Sequence, residues 1–395
     1  MRLGLGLGLQ DQALGEPPAD WTNWDNSLSG SVTQYVTGGN QGASGCAGIT
    51  STKALLYTND GDDGTDPNQG KVAYLTRSGE TGTLGSFVDV TNSNPAWPQV
   101  HRLSSTRAVC IAEDGDSNII KINLIDVSGA SPSELDEHTV TGITTPNFHY
   151  DFSVLTATKG ILVMRDTAGT DTVKMVIIEF TSDTISQGTV VDGTIDSDAP
   201  NNATCVIALT STSFMWAYDD NFGYATISGT TITIQDTAQL SFVGTGQYDK
   251  SIQRVDDTHA VLFAEYPTDN AIYAVVLTWN GVDTVSAGSE VSVIPSVGFG
   301  GAPSNWSTQI GDGLYILTID DGGRTPTSAI GVVVTVNTGT YAISADTEIQ
   351  ISGDIEADHN CVTAFPDTGY KYLFWLCQDE TNTPVKQIQG RILKA

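Results

Sequence analysis

The stretch Ala260 to Gly281, AVLFAEYPTDNAIYAVVLTWNG, decides the fold of this chain. Two apolar runs, Ala260 to Glu265 and Ile272 to Trp279, flank the turn-rich YPTDNA, and the unit ends on Asn280-Gly281. That dipeptide favours a tight turn with positive φ, so the stretch reads as a β-hairpin. Both runs are nearly continuous rather than alternating, the pattern of strands buried on both faces.

The hairpin recurs. Its first strand starts at Ala54 (ALLYT), Ala108 (AVCIAE), Gly160 (GILVMR), Ser213 (SFMWAY), Ala260, Gly313 (GLYILT) and Tyr370 (YKYLFWL), with successive starts 54, 52, 53, 47, 53 and 57 residues apart. This period, with several strands per repeat, is that of propeller blades round an axis. The expected fold is all-β: a seven-bladed β-propeller of four-stranded blades, with residues 29–395 as the propeller and 1–28 as a docking arm.

Ser31 to Thr37 (SVTQYVT) has no hairpin of its own, and the last repeat ends without a fourth strand. A ring of sheets is best closed when one blade takes strands from both ends of the chain, so Ser31 to Thr37 is expected to complete the last blade. Within a repeat, short mixed segments such as Val100 to Leu103 and Ile252 to Val255 read as the strand lining the channel. Thr- and Ser-rich segments such as Thr230 to Ile234 and Glu348 to Ile351 read as the exposed outer edge.

Composition narrows the partners. Seventeen basic residues stand against 46 acidic ones, a net charge of −29, whereas phosphate binding needs clustered Lys and Arg; nucleic acid is not an expected partner. No apolar run approaches the length of a membrane span, and the opening MRLGLGLGLQ lacks the core and cleavage site of a signal peptide. The five cysteines stand singly, with no spacing suited to zinc. Cys46, Cys205 and Cys361 fall eight or nine residues before their hairpins and read as small buried residues.

Three features bear on chemistry. The acidic turn Asn59 to Asp66 has the oxygen donors of a calcium loop, although similar clusters recur at the same point of other repeats as ordinary Asx-rich turns. His101, His149 and His359 lie near the starts of first strands but lack partners legible in the sequence. Trp97, Tyr150, Tyr248 and Trp306 sit where one blade leads into the next, and are expected to form a receptor-binding aromatic rim. No Ser/His/Asp set or sialidase-type Ser-x-Asp-x-Gly-x-Thr-Trp turn stands out. The chain is therefore read as no enzyme, with no metal and no cofactor.

The opening Arg2-Leu3-Gly4-Leu5-Gly6-Leu7-Gly8-Leu9 and degenerate repeats such as Ala225 to Thr233 (ATISGTTIT) resemble virion structural proteins of tailed bacteriophages. The resemblance implies a tail-region component of a virion, present in symmetric multiple copies. Its arm would dock on other virion proteins through Leu3, Leu5, Leu7 and Leu9, and its propeller face would contact the host surface, with a surface glycan as the candidate receptor. The alternatives are a stand-alone carbohydrate-binding propeller and a glycoside hydrolase or lyase using channel acids.

Overall fold

The computed structural model describes residues 33–36, 44–59, 69–93, 95–115, 117, 119–143, 146–167, 171–197, 203–240, 250–266, 271–295, 306–321, 328–351, 357–366, 372–379 and 387–394. They are all-β and form a β-propeller. The strands fall into seven antiparallel sheets, each a meander in which sequence neighbours are hydrogen-bonded. In chain order the inner strands are Ser44–Thr50, Pro95–Arg102, Pro146–Thr156, Thr204–Thr210, Lys250–Arg254, Ser307–Gly311 and Ala357–Ala364. Each packs against the inner strand of the next sheet, and Ala357–Ala364 returns to Ser44–Thr50, so the cycle is closed. Thr33–Val36 pairs with Gln387–Lys394 as the outermost strand of the seventh sheet.

The founding hairpin shows why its apolar runs are continuous. Val261 and Phe263 face the sixth sheet, where they meet Trp306, Tyr315 and Leu317. Ala260, Leu262 and Ala264, alternating with them, face Met215, Ala217 and Tyr224 of the fourth. A central strand between two neighbouring sheets buries both of its faces, and the period-2 alternation of polarity vanishes.

The expectation of four-stranded blades needs one correction. Four sheets carry a fifth strand because their outer strand is broken in two. In the first sheet Thr81–Leu84 and Val88–Ser93 both pair with Gln69–Ser78. At the break the Gly85 N–H donates to the Tyr74 carbonyl, 2.8 Å. Gly188 and Gly288 make the same bond in the third and fifth sheets, and Asp346 makes it in the sixth. The outer strands of the second and fourth sheets stay whole but shift register between Glu134 and Asp136 and opposite Tyr224 and Ala225. An irregular outer strand of this kind twists away from edge-to-edge pairing.

Inner strands leave backbone groups that a sheet alone cannot satisfy, and side chains of the adjacent sheet take them. Asp151 Oδ2 accepts the Val206 N–H at 2.8 Å and Ser153 Oγ accepts the Ala208 N–H at 2.9 Å. Between the first and seventh sheets, the Gly48 N–H donates to Thr363 Oγ1 at 3.0 Å. Close approach here requires glycine: a Cβ on Gly48 would lie 2.1 Å from the Ala364 carbonyl oxygen, and one on Gly45 would lie 2.5 Å from the Pro98 carbonyl oxygen.

Among the described residues no helix is long and apolar enough to cross a membrane.

Candidate functional site

In an antiparallel meander the turns between second and third strands lie at the same end as the links between sheets. The chain concentrates its buried charge at this end. Glu113 stands five residues beyond Ala108, whose register partner on the inner strand is Arg102. Glu265 stands five beyond Ala260, partner of Arg254. The equivalent place in the other sheets is held by Asn59, Arg165, Asp219, Asp320 and Gln378, so a polar residue stands there in all seven sheets, on the second strand in six and just past its end at Asp219 in the fourth. One place further are Asp114, Asp166, Asp220, Asp321 and Asp379, with Tyr266 in the fifth sheet.

Glu113 is 2% exposed, and its Oε2 has no hydrogen-bond partner among the described residues. Burial, with a smaller contribution from the adjacent Asp114, pushes its carboxyl up to about 7. Asp114 is held differently: Lys121 Nζ lies 3.5 Å from Asp114 Oδ2 and 3.4 Å from Glu137 Oε1. Two consecutive buried carboxyls thus have different neighbours: Asp114 lies beside a cation, whereas Glu113 keeps an oxygen that no described group satisfies.

The charged groups continue round the ring. Tyr150, in the third sheet, donates its hydroxyl hydrogen to the Trp97 carbonyl. Burial, then the charge of Glu113, raises that hydroxyl well above the usual phenol range. Asp151 follows it, with Oδ1 accepting the Phe152 N–H at 2.9 Å in addition to the Val206 bond. Cys205, in the fourth sheet, is fully buried and feels both Asp151 and Lys250. Lys250 is itself fully buried at the start of the fifth inner strand. Burial pushes Glu265 up to about 7, and Lys250 partly offsets the rise. Ionisable groups of the second, third and fifth sheets, Glu113, Tyr150, Asp151, Lys250 and Glu265, therefore gather at one end of the propeller, with Cys205 of the fourth sheet between them. A desolvated carboxyl that keeps its proton near neutrality is suited to general acid catalysis.

A pH dependence of stability follows. A carboxyl raised from 4.5 to about 7 in the folded state contributes stability that is full below about pH 4.5. Between there and about 7 the unfolded chain loses the proton that the folded chain keeps, so stability falls by up to about 1.4 kcal/mol per pH unit for each group. Above about pH 7 it levels. Urea unfolding of Glu113→Gln between pH 4.5 and 8 should show a shallower decline than the native protein; an equal slope would place the Glu113 carboxyl in its ordinary range.

Of the four residues expected to form an aromatic rim, the three that are described are packed inward or against a core cluster. Trp306 is fully buried between the fifth and sixth sheets, its ring 6.4 Å from that of Phe263. Tyr150 is 2% exposed within the cluster joining the second and third sheets. Trp97 is half-buried against that same cluster, at a bulge where its φ is +52°. Tyr248 lies outside the described residues, as do Leu3, Leu5, Leu7 and Leu9. Aromatic rings at these links fill the wedge between neighbouring sheets, where their area is worth most. His101 is a structural residue too: its Nε2 is 3.1 Å from Gln99 Oε1, its ring is 5.1 Å from that of Phe152, and burial lowers it to about 3.

Most of the acidic turn from Asn59 to Asp66 lies outside the described residues. Among the described residues no group of three His, Cys, Asp or Glu side chains is placed to hold a metal ion.

No family model matches the chain, and no curated protein matches it. Solved structures do match. A candidate 6-phosphogluconolactonase from Bacteroides uniformis aligns with a TM-score of 0.52 at 11% identity, over 75% of this chain and 82% of that one. An oligogalacturonate lyase in complex with manganese aligns with a TM-score of 0.50 at 9% identity, over 93% and 96% of the two chains. The α-L-arabinofuranosidase Arb93A from Fusarium graminearum aligns with a TM-score of 0.49 at 11% identity, over 92% and 97%.

At such identities the likeness is one of fold. It nevertheless corrects the expectation that the chain is no enzyme. That expectation rested on the lack of a recognisable motif, and this fold carries enzymes with whose sequences the chain has almost nothing in common.

Proposed function

We propose that the chain is a carbohydrate-active propeller, a glycoside hydrolase or polysaccharide lyase, working at the end of the channel where Glu113 and Glu265 lie. The observation that carries the reading is the Glu113 carboxyl: buried, with an oxygen that no donor among the described residues satisfies, and raised to about 7. Cleavage of a glycosidic bond needs a carboxyl that still holds its proton at neutral pH to give to the leaving oxygen. Glu265 is the second carboxyl with that property.

In the same reading each of the seven sheets is one blade, and Thr33–Val36 closes the last. The second and fifth blades then stand on opposite sides of the channel. The fold likeness to an oligogalacturonate lyase makes oligogalacturonates the first substrates to try, beside neutral oligosaccharides.

The test is a panel of acidic and neutral polysaccharides scored two ways. Release of reducing ends without an ultraviolet-absorbing product marks a hydrolase, and an unsaturated absorbing product marks a lyase. A panel with neither cleavage nor binding would reject the reading.

A virion component is the second reading. Residues 1–28 precede Thr33–Val36, the outermost strand of its sheet, so an arm there would join the ring at its rim, where a partner's sheet or groove has access. Deleting residues 1–25 should leave the melting midpoint of the propeller unchanged and abolish incorporation into a particle. Undiminished incorporation would reject this reading.

A further inference from the structure

We propose that Cys46 and Cys361 are a disulfide site that staples the first and last sheets of the ring. Cys46 lies on Ser44–Thr50, opposite Leu56, and Cys361 on Ala357–Ala364, opposite Leu376. Although 315 residues apart in the chain, their Sγ atoms are 3.1 Å apart. Both are buried in one apolar cluster with Ala54, Leu75, Phe365 and Phe374.

The backbones carrying the two thiols are already held in place. The Gly48 to Thr363 hydrogen bond ties the same two strands beside the pair, and Gly48 lets the strand containing Ala364 come close. A disulfide needs its sulfurs at about 2.05 Å, so the thiols have only about 1 Å to travel. The other described cysteines, Cys110 and Cys205, are buried in clusters between different sheets.

The oxidant is a small-molecule disulfide such as oxidised glutathione. The thiolate of one cysteine attacks it and releases one glutathione. The thiolate of the other then displaces the second glutathione from the mixed disulfide. One S–S bond is broken and one formed, and the two protons of the cysteines leave on the two glutathione thiols.

Burial pushes the Cys46 thiol well up, so the closed ring holds it as an unreactive thiol. Exchange therefore belongs to the moment before the seam shuts, when the first and last sheets are still apart and water reaches both sulfurs. Once formed, the bond joins the two ends of the ring and leaves a reductant no path to it except through an opened seam. The inference is independent of the carbohydrate reading, because it concerns the seam and not the Glu113 and Glu265 carboxyls.

The experiment uses the full-length chain, refolded from denaturant with oxidised glutathione or with dithiothreitol. Free thiols are blocked by alkylation and the protein is digested without reduction for mass spectrometry. The expected result is a linked peptide pair containing Cys46 and Cys361, lighter by two hydrogens than the sum of its parts. The melting midpoint should rise by roughly 5 °C over the reduced protein, and the rise should be absent in Cys46→Ser and in Cys361→Ser. Because the mapping is done on the native sequence, it stands even if a variant folds poorly. Both thiols recovered in alkylated form after oxidative refolding, either one linked to a different cysteine, or a linked chain that cannot fold would overturn the proposal.

Discussion

Replacing Gly48 with alanine destabilises the propeller by about 3 kcal/mol and loosens the seam between its first and last sheets. The added Cβ would lie 2.1 Å from the Ala364 carbonyl oxygen and 2.9 Å from Pro366 Cδ. The first of these is a backbone atom, so relief cannot come from a side-chain rotation. The two inner strands must move apart, and the Gly48 to Thr363 hydrogen bond and the packing around Cys46 and Phe374 are strained together.

Gly79→Ala is the control. Gly79 has φ of +62° and nothing within 4 Å of its would-be Cβ, so only the backbone penalty of about 1–2 kcal/mol applies. Urea unfolding compares the two. A Gly48→Ala protein no less stable than Gly79→Ala would mean that the seam is not close-packed at this point.

If the chain is the carbohydrate-active propeller proposed above, Glu113→Gln lowers kcat for the cleaved polysaccharide by about 100- to 10,000-fold with little change in KM. Glutamine keeps the shape and the burial but has no acidic proton to give to a leaving oxygen. On that reading the native protein should lose activity as pH rises through about 7, where the Glu113 carboxyl gives up its proton, and the residual activity of the variant should lack that limb. Glu265→Gln distinguishes the two carboxyls: the one whose replacement removes the alkaline limb is the proton donor. If both variants retain native kcat and native pH profile, neither carboxyl takes part.

Several parts of the architecture were legible because they rest on local patterns. The seven hairpin starts correspond to the second strands of seven sheets, and Asn280-Gly281 ends its hairpin with Gly281 at φ +84°. Continuous apolar runs such as Val261 to Ala264 marked strands buried on both faces, because each one is sandwiched between neighbouring sheets. The broken outer strands were not legible. Gly85, Gly188 and Gly288 look like any turn glycine until the long third strand that both fragments pair with is in view.

The site was much less legible than the fold. Trp306 and Tyr150 sit on inter-sheet links, where a sequence cannot distinguish a ring turned outward from one turned into the wedge between sheets; the packing turned both inward. Glu113 and Glu265 were read as the ends of apolar runs. Their identical place on the second strand becomes visible only from the register with Arg102 and Arg254, and their raised pKa only from the desolvation that the packed ring imposes.

By itself the sequence determined the repeat, the strand content, the meander within each repeat and the need for a strand from the other end of the chain, because hydrophobic period and turn chemistry act over a few residues. Tertiary structure alone decided which carboxyls lose their water, which aromatic rings are covered, and that two cysteines 315 residues apart meet at the seam. Those properties depend on which strands become neighbours round a closed ring, and no local pattern encodes that adjacency.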